Sequence, residues 1–133
     1  MVSRIVLTFV ALLLALNGIN MLFDPPGWYA SIQSVAHTGP LNPHFVRDIG
    51  CAYLTAAFGV ELAAARPVHF WPGILSALAF LGLHALVHIW ETIEGMPAAQ
   101  HMGTVDMLGV YGPPFILALI IAWARFQPAL KEA

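Results

Sequence analysis

Four stretches of mainly apolar residues, each about twenty long, constrain this chain more than any other feature. They run over residues 4–23, 44–65, 70–91 and 106–126. At ~1.5 Å of rise per residue, each is long enough to cross the hydrocarbon of a bilayer as an α-helix. Inside lipid every backbone N–H and C=O must find its partner within the protein, and a helix achieves this within one segment. The pattern predicts an all-α fold, an integral membrane antiparallel four-helix bundle forming a single domain over residues 1–133. Hydrophobic residues make up 59% of the 133 and charged residues 9%, more apolar surface than a soluble core of this length can hide.

The breaks between the stretches set the topology. Residues 24–43 form the one long connection, in which Pro25, Pro26, Pro40 and Pro43 are expected to break any helix, while Trp28 and Tyr29 suit the membrane interface. Arg66–Pro72 is a short turn, and Gly95-Met96-Pro97 opens the last loop. Arg4 followed by Ile5 to Leu16 has the outline of a secretory signal. No small-x-small cleavage site follows, so it is read as an uncleaved first helix. With four crossings, Arg4, Arg66, Arg125 and Lys131 share one side and only Arg47 lies on the other. The positive-inside rule then places both termini in the cytoplasm and, in a bacterial inner membrane, the two larger loops in the periplasm. There is no basic patch for nucleic acid, and the single cysteine, Cys51, excludes an intrachain disulfide.

Against this background the ionisable residues stand out, because each is costly in a membrane span. The third stretch carries Leu83-His84-Ala85-Leu86-Val87-His88-Ile89-Trp90-Glu91, so His84, His88 and Glu91 fall within one narrow arc of a helix. His44, Asp48, Cys51 and Thr55 form a stripe on the second helix. Asn17, Asn20 and Asp24 mark the end of the first, and His101, Thr104 and Asp106 the start of the fourth. All of these belong to the outer half of the bundle. Histidines at i and i+4 with a nearby carboxylate suit a divalent transition metal such as zinc, iron or copper. The expected ligand set is His84, His88, Asp48 and Glu91, with His44, Glu94, His101 and Asp106 as additions that would allow a second ion. Glu91 or Asp48 would act as proton acceptor if the site is catalytic on a lipophilic substrate. Arg47 and the asparagines would orient the ligands.

Other readings compete. Haem b needs histidines from facing helices, His84 or His88 opposite His44 or His101, and the latter two lie near the surface. His and carboxylate side chains can carry protons, or serve a quinone, without any metal. A polar stripe can also simply hold a bundle together, or serve a homo-oligomer or larger complex through exposed Trp90 and Trp123. His37 and His69 read as ordinary interfacial residues, and Cys51 as a small packing residue.

Arg47-Asp48-Ile49-Gly50, Gly59 and Glu94-Gly95-Met96-Pro97 resemble, over the middle half of the chain, the small four-helix bacterial inner-membrane proteins grouped as DoxX-like. The resemblance implies a four-helix antiparallel bundle, some of whose members are associated with quinone or sulfur redox systems. The His84, His88 and Glu91 triplet is not part of that pattern.

Overall fold

Residues 2–126 are described by a computed structural model, and every regular element among them is helical. In chain order these are α1 (Val2–Phe23), α2 (Pro25–Ser31), α3 (Gln33–Ala36), α4 (Pro43–Ala65), a 3-10 turn (Pro67–His69), α5 (Phe70–Ile93), α6 (Pro97–Gln100) and α7 (Thr104–Ala124). Four of them, α1, α4, the turn with α5, and α7, are long and apolar enough to cross a membrane. Lys131 lies outside the described residues.

Pro40 lies in the non-helical stretch 37–42 as the sequence suggests, but Pro25, Pro26 and Pro43 do not act as breakers. Pro25 and Pro26 occupy the first turn of α2, Pro43 that of α4 and Pro97 that of α6. There the missing N–H costs nothing and the fixed φ favours helix. Side-chain caps complete the starts. Asp24 accepts from the Gly27 N–H at 3.1 Å, and Asn42 accepts from the Phe45 N–H at 3.2 Å. The connection 24–43 therefore holds two short helices instead of an irregular loop. α7 runs unbroken through Pro113 and Pro114, although those residues leave the Gly109 and Val110 carbonyls without their helical donors.

The long helices pack in series: α1 against α4, α4 against α5, and α5 against α7. Glycine sets the first two contacts. A Cβ at Gly18 would lie 2.8 Å from the Gly50 carbonyl oxygen, and one at Gly59 would lie 2.9 Å from that of Gly73. Small residues let two backbones approach closely. Around these crossings Leu7, Leu14, Met21, Val60, Ile74, Leu81 and Leu117 form the buried core. α7 is the least enclosed long helix, with Leu108, Phe115, Leu119 and Trp123 exposed.

Candidate functional site

His84, His88 and Glu91 share one face of α5, on which His84 meets α4 through Tyr53. The imidazoles of His84 and His88 touch edge to face, with centroids 4.8 Å apart. His88 Nδ1 lies 3.5 Å from Glu91 Oε2, and the two side chains keep only 18% and 27% of their exposure. Farther into the helix, His84 meets two aromatic rings. Tyr53 of α4 stands edge-on at 5.9 Å, and Phe80 lies nearly parallel at 5.9 Å. Tyr53 and Phe80 also meet each other edge to face at 5.3 Å. A ring cluster thus closes the inner end of the row, and a carboxylate ends it outward.

The backbone fixes where the row stops. Gly95 adopts φ +68°, its N–H donates to the Thr92 carbonyl, and the Met96 N–H donates to the Glu91 carbonyl. This is a Schellman ending, which a left-handed glycine makes inexpensive. It holds Glu91 in the last turns of α5, beside His88.

The remaining predicted site residues go elsewhere. His44 Nε2 lies 3.4 Å from Asp48 Oδ2, with side chains 86% and 61% exposed, so this pair faces outward on α4. Arg47 donates from Nε to the Leu22 carbonyl, tying α4 to α1. Asn17 accepts from Trp28 Nε1 at 2.9 Å, and with the Asp24 cap it builds the corner between α1 and α2. Asp106 takes the Gly103 N–H at 3.3 Å at the start of α7. The Glu94 carboxylate is exposed and makes no hydrogen bond or ion pair among the described residues. Cys51 is exposed instead of packed, and its carbonyl accepts the Thr55 hydroxyl.

His101 is paired with a residue that the sequence reads as unremarkable. Its ring stacks on His37 with centroids 3.6 Å apart and planes within 7°. Each Nδ1 is bound to a carbonyl four residues back, Gln33 for His37 at 2.8 Å and Pro97 for His101 at 2.7 Å. Since a carbonyl only accepts, both Nδ1 atoms carry hydrogen. The stack joins α3 to α6. Tyr29 ties the same segment to α2, its hydroxyl donating to the Gly39 carbonyl and lying 3.4 Å from that of Ala36.

Among the described residues, no group of three or more His, Cys, Asp or Glu side chains is placed to hold a metal ion. The eight expected ligands are split among separate contacts: His44 with Asp48, His84 with His88 and Glu91 in a row along one helix, His101 with His37, and Asp106 and Glu94 apart. The rings in contact with His84 are Tyr53, Phe80 and His88. Tyr53 and Phe80 are the site residues that sequence reading misses. Their only signal is a position one helical turn from His84 for Phe80 and a place on the facing helix for Tyr53.

No protein-family model, curated protein or solved structure matches this chain.

Proposed function

We propose that the chain is a multi-pass membrane protein whose four long helices cross the bilayer antiparallel, and that α5 carries a proton relay from the hydrocarbon to one aqueous face. The contacts support the antiparallel order. Gly18 meets Gly50 and Leu54, while four residues later the Leu22 carbonyl meets Arg47, so rising numbers on α1 meet falling numbers on α4. Likewise Gly59 meets Gly73, and Tyr53 meets Phe80 and His84. Arg4, Arg66 and Arg125 then share one end, which the positive-inside rule assigns to the cytoplasm. Glu91 belongs to the opposite end, the periplasmic one in a bacterial inner membrane.

The observation that carries the relay is the row His84, His88, Glu91, half-buried and in contact along a single helix. An imidazole accepts a proton at one nitrogen and releases one from the other, which suits it to shuttle work. Glu91 receives or supplies the proton beside His88 and exchanges it with water. Between the two rings the proton passes by ring rotation or through one intervening water. His84 and Glu91 are seven positions apart, a span of ~10 Å along the helix. Burying these side chains in lipid without a role would be costly, and intramembrane ionisable groups characteristically mark such paths. The relay needs no metal, in keeping with donors that do not converge. Its task is proton exchange with a lipophilic molecule dissolved in the membrane.

The test uses proteoliposomes loaded with a lipophilic hydroxycoumarin, a dye that reports protonation within the bilayer, and a stopped-flow acid jump. Wild-type protein should accelerate protonation of the dye. His88→Ala and Glu91→Gln should return the rate to that of protein-free vesicles, a loss of about tenfold or more given the size of general acid–base effects. A His88→Ala protein as fast as wild type would overturn the relay.

A further inference from the structure

Beside the relay, between α4 and α5, lies a groove of about 280 Å³ lined by Ala52, Thr55, Ala56, Ser76 and Phe80. We infer that this groove binds a single-ring lipophile that carries a hydroxyl, of the phenol or hydroquinone class, and that it selects such a molecule by accepting its O–H. The inference rests on the relay reading for its purpose, since such a molecule belongs to the lipophilic class that reading names.

Three features of the groove point to that ligand. The first is its hydrogen-bonding polarity. Its polar side chains are two hydroxyls, and both hydrogens are committed: Thr55 donates to the Cys51 carbonyl at 2.9 Å, and Ser76 donates to the Gly73 carbonyl at 3.0 Å. Serine and threonine in helices commonly back-bond this way, and in lipid no water competes for the hydrogen. What each oxygen offers the groove is a lone pair. A ligand that only accepts, such as a ketone or an ether, finds no donor among these lining groups. One that donates finds an acceptor on each wall.

The second feature is size and shape. The walls are the small side chains Ala52 and Ala56 on one helix and the Phe80 ring on the other. A volume of this order is near the lower end of small-molecule sites and holds one six-membered ring whose chain extends into lipid. Phe80 supplies an aromatic surface for it to lie against. The third is position. The same Phe80 ring lies against His84, so an occupant sits one ring away from the inner end of the relay. Gly59 makes room for this arrangement, since a Cβ there would come within 3.1 Å of Ser76 Oγ.

The probe pair is 4-decylphenol and its O-methyl ether, which share ring and chain and differ in the one donor hydrogen. Binding is measured by isothermal titration to the full chain in lipid nanodiscs. The phenol is expected to bind at least tenfold tighter than the ether. Thr55→Val with Ser76→Ala should bring the two affinities together, and either single variant should narrow the gap in a protein whose unfolding midpoint is unchanged. Ala52→Phe, which fills the groove, should remove binding of both. Equal affinities in the wild type, a preference that survives the double variant, or binding of neither probe would overturn the inference. His88→Ala should leave the preference intact. Discrimination without accelerated dye protonation sinks the relay alone, and accelerated protonation without discrimination sinks the groove alone.

Discussion

Two histidine pairs occupy this molecule, and they are built in opposite ways. His84 and His88 come from one helix, meet edge to face, are half-buried and end on a carboxylate. His37 and His101 come from two loops, stack face to face, are exposed, and are bound only to backbone carbonyls. The first pair has an acid partner and low exposure at His88 and Glu91, the features on which the proposed relay rests. The second has its Nδ1 atoms fixed and no carboxylate, which is what holding two loops together requires. Residue type alone therefore says little here; the two pairs differ in the groups that surround the imidazoles.

The sharpest way to break that contrast is to exchange the losses. His88→Ala should cost about tenfold or more in dye protonation, whereas His37→Ala and His101→Ala should leave the rate at the wild-type value. If the loop variants slow the dye as much as the helix variants, the division of labour between the pairs is wrong.

The next effect in size falls on the seam that holds His84 against Tyr53. Gly59→Val places a branched side chain against the Gly73 backbone, which has no side chain to move aside. Overpacking of this kind costs about 1–3 kcal/mol, read as a lower midpoint of unfolding in mixed detergent micelles. The same substitution at Gly109, where a Cβ meets nothing within 4 Å, should leave the midpoint unchanged. A Gly59→Val protein as stable as wild type would mean that the seam is looser than described.

A smaller effect belongs to the corner beneath the loops. Asn17→Ala removes the acceptor for Trp28 Nε1, a loss of about 1 kcal/mol for a part-buried hydrogen bond. Trp28 emission should shift as its indole N–H loses that partner. An unchanged spectrum and midpoint would show that Asn17 contributes nothing to the corner.

What could be read from the chain follows the range of the interactions. The four long helices are legible because runs of about twenty mainly apolar residues leave few alternatives to a long helix, and their ends fall within a few residues of those expected. The row on α5 was legible because positions 84, 88 and 91 share a face by helix geometry alone. Convergence of Asp48, His44, His101 and Asp106 on that row was not, because equal depth does not fix the direction in which a helix presents its side chains. His44 and Asp48 turn outward on α4, and Asp106 is taken by the Gly103 N–H. The short helices α2 and α6 are not legible, because a proline in a first turn has the same sequence signature as one that breaks a helix. His37 had no signal at all: its partner is 64 positions away, and only the meeting of α3 with α6 brings the two rings together.

That long-range pair gives the finest test. His101→Ala removes one ring of the stack and the bond from its Nδ1 to the Pro97 carbonyl. An aromatic pair is worth about 0.5–1.5 kcal/mol beyond its buried area, and an exposed one belongs at the low end. The global midpoint should hardly move, because the core around Val60, Ile74 and Leu81 is untouched. Amide hydrogen exchange should instead quicken over residues 33–39 and 97–102 together, since the stack joins two segments that open locally once it is lost. His37→Ala should give the same pattern, and the double variant should add little to either single one, as expected of partners in one contact. Faster exchange confined to the mutated segment would show that the loops are held by something other than the stacked rings.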